Sequence, residues 1–194
     1  MKKTLMMAAV ATIALYACTG IRHPGQPMPK LTFENYQPVI LNVQNSTVVE
    51  AYAGQVDPQD IAGQFVVPPA DAVKQYAAKR FPANGVGDGQ FTIGIEDARV
   101  HLRSIDEKNR VLSWSGIGKD DEYRIFLRLR VSPVPNGTRS SASTILKFDR
   151  TLVMPSSVTV AEREERQLKF LEKLMADVDA SIMNALNNLP NIKQ

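Results

Sequence analysis

The chain has 194 residues with 23 lysines and arginines, 20 aspartates and glutamates, two histidines and one cysteine, for a formal charge of +3. A single cysteine excludes a disulfide framework and any thiolate metal cluster built within one chain. With so small a net charge, bulk basicity offers no argument for nucleic-acid binding.

The excess charge sits at the N-terminus. Lys2 and Lys3 precede a dominantly apolar stretch, Leu5 to Tyr16, and Ala17 supplies a small residue before Cys18. A charged head, an apolar run of 12 residues and a small residue at the cut form a secretory signal, too short to span a bilayer. "LYAC" resembles a bacterial lipoprotein box, in which the cysteine is acylated and becomes the new N-terminus, although Tyr16 is bulkier than the usual second residue. That resemblance implies residues 1–17 as signal peptide, Cys18 as lipid anchor, and a membrane partner reached through acyl chains, each buried CH₂ contributing about 0.8 kcal/mol. Thr19 stands where enterobacterial lipoproteins held in the inner membrane carry Asp, so the analogy favours the periplasmic face of the outer membrane. Loss of the signal removes Lys2 and Lys3 and leaves 21 cationic against 20 acidic residues in 177, enough for one domain.

Residues 18–30 contain three prolines and two glycines and form a flexible tether, with a single α+β domain over 31–190 and a short tail over 191–194. From Pro38 the alternation of Val39, Leu41 and Val43 predicts a strand that continues through "STVVEAY", or two short ones. "VPPADAVKQYAAKRFP" predicts a helix: proline suits its first turn, Val73, Tyr76, Ala77 and Phe81 form an apolar stripe, and Pro82 stops it. Gly85, Gly87 and Gly89 follow that helix instead of following a strand and opening one, which argues against a phosphate loop.

"FTIGIEDARVHLRSI" alternates Phe91, Ile93 and Ile95, after which the inward phase moves to Ala98, Val100 and Leu102. One extra residue near Glu96-Asp97 accounts for the shift as a β-bulge. "VLSWSG" is a weaker strand candidate. "EYRIFLRLRV" puts Tyr123, Ile125, Leu127, Leu129 and Val131 on one face, and Asn136-Gly137 turns the chain into its antiparallel partner "STILKFDRTLV". The closing helix starts at a capping box, Thr159 with Glu162, and carries Leu168, Leu171, Met175, Val178, Ile182, Ala185 and Leu189 at helical spacing, while "AEREERQ" is polar all round and projects. Together these elements predict an α+β two-layer sandwich, a mostly antiparallel sheet of four or five strands with one short and one long helix on one face.

Chemistry is sparse. His23 lies in the tether, and His101, between Arg99 and Arg103, reads as an exposed sheet histidine. No serine or cysteine elbow and no metal-ligand spacing is present, so neither a cofactor nor a metal is expected, nor an enzyme. "KDDEY" offers Asp120, Asp121 and Glu122 but lacks the spacing of a calcium loop and reads as a solvated turn. The opposite reading, a periplasmic enzyme using surface carboxylates, requires a deep pocket with converging, displaced carboxyls.

Period-two alternation sends Arg99, Arg103, Arg124, Arg128, Arg130 and Lys147 to the face away from the core, around Phe126, with Asp149 as the nearby anion. Such a face either keeps the sheet soluble or binds anionic lipid headgroups, lipopolysaccharide phosphates or an acidic protein surface. "LNVQNSTVVEAY", "VPPADAVKQYAAKRF", "DEYRIFLRLRV" and "PSSVTVAEREERQLKFLEKLMADVDASI" resemble small alphaproteobacterial envelope lipoproteins without an assigned activity. The architecture is similar to that of the lipoprotein plugging the lipopolysaccharide translocon and of auxiliary lipoproteins of ABC-type lipid transporters. The resemblance implies an accessory binding subunit of an envelope complex for lipid transport or assembly, with an envelope protein or anionic lipid as partner and no nucleic acid.

Overall fold

The computed structural model describes residues 30–52, 57–106, 119–138, 142–189 and 192–193. Strand β1 (Asn45–Glu50) is followed by helix α1 (Pro69–Arg80), strands β2 (Gln90–Asp106), β3 (Lys119–Val134) and β4 (Thr144–Pro155), and helix α2 (Val160–Asn187). The strands lie in sequence order in one mixed sheet: β1 runs parallel to β2, and β2, β3 and β4 are successively antiparallel. An α+β two-layer sandwich results. Val39, Leu41 and Val43 alternate in burial as expected, but 38–43 is not a strand; it pairs only through isolated bridges at Leu41, and β1 begins at Asn45. The "VLSWSG" segment, Cys18 and the tether lie outside the described residues.

Each helix folds for reasons visible in its residues. Pro69 occupies the first turn of α1, where its missing N–H costs nothing, with Asp71 near the start and Lys79 and Arg80 near the end complementing the helix dipole. Thr159 and Glu162 form the reciprocal capping box of α2, whose 28 residues span about 42 Å. Leu171, Met175, Val178 and Ile182 are fully buried, and Leu174 and Leu186 widen the stripe. At about 1.5–3 kcal/mol per large apolar side chain, this face fixes α2 on the sheet. Gln167 departs from the expectation of a projecting polar turn: it is buried, and its side-chain oxygen accepts the Val66 N–H at 3.1 Å.

Opposite the helices' apolar stripes stand Phe91, Ile93, Ile95, Ala98 and Val100 from β2 and Tyr123 through Val131 at every second position of β3, all buried. The register shifts between Ile95 and Asp97, where the phase slip placed the bulge. Leu102 keeps the inward phase yet is 44% exposed. "KDDEY" is the start of β3, not a turn. Gly87 and Gly89 are packing residues: a Cβ on either would lie within 2.4–2.6 Å of the Asn136 side chain, because this loop abuts the β3–β4 turn. Past 190, Ile192 is fully buried and Lys193 forms a backbone bridge with Leu41, so these two residues pack onto the domain.

Residues 33–37 are tied down by charge and aromatics together. Asp179 on α2 accepts from the Tyr76 hydroxyl at 2.5 Å and from Arg80 Nε at 2.7 Å, and Arg80 also donates to the Gln37 carbonyl. Phe33 and Tyr36 stack edgewise against Tyr76, each 5.6 Å between centroids.

Candidate functional site: the outer face of the sheet

The face turned away from the helices is built by β2, β3 and β4. Directly across it, Arg99 opposes Phe126, which opposes Asp149; His101 opposes Arg124, and Asp97 opposes Arg128, which opposes Lys147. The six cations expected there share this face. The structure adds carboxylates between them that reverse the picture of a bare basic surface.

Arg124 forms a two-pronged pair with Asp149, at 2.8 Å from Nε and 2.5 Å from Nη2. Arg99 donates to both oxygens of Asp97 at 2.8 Å and to Asp57 at 2.8 Å. Arg103 lies 3.0 Å from Glu122. Glu96 is shared: Arg130 Nε donates to it at 2.6 Å, and Arg128 Nε lies 2.8 Å from its other oxygen with the N–H off the line, a charge contact without a hydrogen bond. Lys147 alone of the six makes no ion pair among the described residues.

The bulge makes this possible. With one residue inserted between inward Ile95 and inward Ala98, both Glu96 and Asp97 fall on the outer side, where strict alternation would have sent one of them into the core. Asp57 arrives from a different element. Beyond residue 95, β2 has no β1 beside it, and residues 57–62 cover that margin: Ile61 donates to the Val100 carbonyl at 2.8 Å and Asp60 Oδ1 accepts the Val100 N–H at 2.9 Å. Asp57 then reaches over the margin to Arg99 and to His101 Nε2 at 2.9 Å. His101 is therefore half-buried and anchored, not a free sheet histidine.

Phe126 is the apolar centre of the lattice. The Arg124 guanidinium sits 4.8 Å from its ring centroid, Arg99 5.7 Å, and the His101 ring meets it edgewise at 5.1 Å. Two of the carboxylates and two of the arginines are held in their charged forms by these partners. The Gln59 N–H, His101 and Arg99 hold the Asp57 carboxyl down at about 2, and Arg124 holds that of Asp149 below the ordinary carboxylate range. Asp97 and Asp57 push the Arg99 guanidinium upward, and Asp149 does the same to Arg124.

Glu122 has the parity of Arg124, and Glu96 and Asp97 follow from the phase slip, so three of the missed carboxylates carried a local signal. Asp57 carried none, being 42 residues from Arg99. Elsewhere, an open depression of about 560 Å³ lies between β1 and α1, floored by Ala77, Ala78 and Phe81. Among the described residues no cluster of His, Cys, Asp or Glu is arranged to hold a metal, and no helix is long and apolar enough to cross a membrane.

No protein-family model matches the chain, and no curated protein matches its sequence. Among solved structures the chain is similar to the rare lipoprotein B from Shewanella oneidensis, at 7% identity and a TM-score of 0.32, over 72% of this chain and 97% of that one. A likeness that loose assigns no role to any residue of either protein.

Proposed function

We propose that this chain is a lipid-anchored envelope lipoprotein, held at the periplasmic face of the outer membrane by acylated Cys18, that acts by binding as an accessory subunit of a lipid-transport or assembly complex. The contact surface is the outer face of the sheet around Phe126. The observation that carries this reading is the lattice itself: a broad face in which five arginines each meet a carboxylate, from Asp57, Glu96, Asp97, Glu122 or Asp149, and two of them, Arg99 and Arg124, also lie over the Phe126 ring. A face that only needed solubility has no use for arginines clamped over an aromatic ring, because isolated surface charges serve as well and exposed pairs add little stability.

The same lattice selects between partners. An anionic bilayer must compete with five carboxylates already seated among the arginines, whereas a protein surface of mixed charge can pair with both signs at once. A mixed-charge protein surface is therefore the favoured partner. Among the described residues, the carboxyls displaced from their ordinary values, Asp57, Asp149 and Glu162, are displaced downward, away from general-acid work near neutrality.

Replacing Arg124, Arg128 and Arg130 together with Gln tests the reading. The variant should keep the wild-type circular dichroism and lose co-purification with its membrane partner, with little change in its adsorption to anionic vesicles. A variant that folds, retains the partner and complements a deletion strain refutes the assignment. Loss of vesicle adsorption with the partner retained points to lipid instead.

A further inference from the structure

The sheet ends on one side in β4, whose 12 residues pair with β3 without interruption from Thr144 to Pro155. Among the described residues, no backbone group of 144–154 is hydrogen-bonded to a segment other than β3; the Asp149 carbonyl accepts from the neighbouring Arg150 guanidinium, at 3.2 Å. Edge strands of this length are ordinarily broken by a bulge, a central proline or a covering loop. Among the described residues β4 has none of these along its length, its proline standing at the last position.

We propose that β4 pairs antiparallel with β4 of a second copy of this chain, about a two-fold axis at Phe148, so that two four-stranded sheets become one of eight. Charge complementarity names the occupant. Residues directly opposite in an antiparallel pair share a face, and two-fold symmetry reduces the register to the residue on the axis. With Phe148 there, Lys147 faces the partner's Asp149 and Asp149 faces the partner's Lys147, both on the outer side. An axis at Lys147, Asp149 or Arg150 sets a charge against itself. An axis at Thr151 brings Pro155, which has no N–H, into the ladder, and axes nearer either end shorten the overlap.

Both charged groups are available. Lys147 is exposed and makes no ion pair among the described residues, and the Asp149 side chain remains 49% exposed beside Arg124. A lysine on an edge strand usually prevents association; an aspartate two residues later makes it specific for the same sequence running the other way. Pairing also places Asp149 between Arg124 and the partner's Lys147, so the ionic lattice of the outer face continues across the axis.

The test uses the full-length protein in detergent, as wild type, Lys147→Glu, Asp149→Lys and the double exchange. Sedimentation should show a concentration-dependent dimer for wild type. Each single variant sets two like-charge contacts about the axis and should weaken the dimer about tenfold or more; the double exchange should return to within about threefold of wild type. Recovery in the double variant separates the cross-strand pair from the loss of Arg124's partner, which Asp149→Lys also causes. Carbodiimide treatment of mixed ¹⁴N and ¹⁵N protein should give a heavy–light peptide joining Lys147 to Asp149. A wild type that stays monomeric, single variants that dimerise like it, a double variant that does not recover, or a heavy–light link at other residues overturns the proposal.

Discussion

Truncating Asp179 to Ala removes the acceptor that two other groups depend on. The Tyr76 ring is fully buried, and its hydroxyl finds Asp179 at 2.5 Å, so the variant leaves a desolvated hydroxyl without a partner, at about 1–3 kcal/mol. Arg80 loses its carboxylate as well. A fully buried pair broken from one side costs about 3–5 kcal/mol, but the Arg80 and Asp179 side chains are 13% and 18% exposed and Arg80 keeps the Gln37 carbonyl, so only part of that applies. The expected total is about 2–4 kcal/mol, read as the shift in a urea unfolding curve at pH 7, while Tyr76→Phe should cost about 0.5–1.5 kcal/mol. In a double-mutant cycle the two losses should fall short of additive, since both delete the same contact. Alkali gives an independent reading. Burial, with the Asp179 hydrogen bond second, pushes the Tyr76 phenol above its ordinary 10.0, so its contribution is full below pH 10 and is lost as pH rises further and the unfolded chain sheds a proton the folded one keeps. Tyr36, Tyr52 and Tyr123 shift the same way, so Tyr76→Phe should flatten the alkaline loss of stability without abolishing it. An Asp179→Ala variant within about 0.5 kcal/mol of wild type refutes the latch, because that is the range of surface changes that touch nothing.

Leu171→Ala and Ile182→Ala should each cost about 2–5 kcal/mol by thermal or urea unfolding, both side chains being fully buried; unchanged melts mean that α2 does not pack as described. Cys18→Ser should move the protein from the detergent extract to the soluble periplasm, and a variant that stays in the membrane pellet places the anchor elsewhere.

Local periodicity reached most of the fold. The slip from Ile95 to Ala98 located the bulge, Thr159 with Glu162 marked the start of α2, and the stripe from Leu168 to Ile182 named the residues that pack. What remained hidden depends on distance along the chain. The Tyr76–Asp179 and Val66–Gln167 contacts join residues about a hundred positions apart, and a glutamine in a polar run carries no mark of burial until the backbone N–H it satisfies is in place. The candidate site divides the same way. Alternation sorted its arginines onto one face, because side-chain direction in a strand is a local property. The neutralising partners were harder: Glu122 and the bulge pair Glu96 and Asp97 were available to the same parity argument, whereas Asp57 is delivered by a segment whose path is set by the bare margin of β2.

The central claim is that the outer face of the sheet, and not the helical face, meets the partner. Site-specific photocrosslinking in intact cells addresses it directly, with a photoreactive residue at Thr151, exposed on the outer side of β4, or at Lys173, exposed on α2. The account predicts a discrete adduct from position 151 to a protein other than this chain, which disappears when Arg124, Arg128 and Arg130 are replaced by Gln, and none from position 173. An adduct from 173 with none from 151 contradicts it.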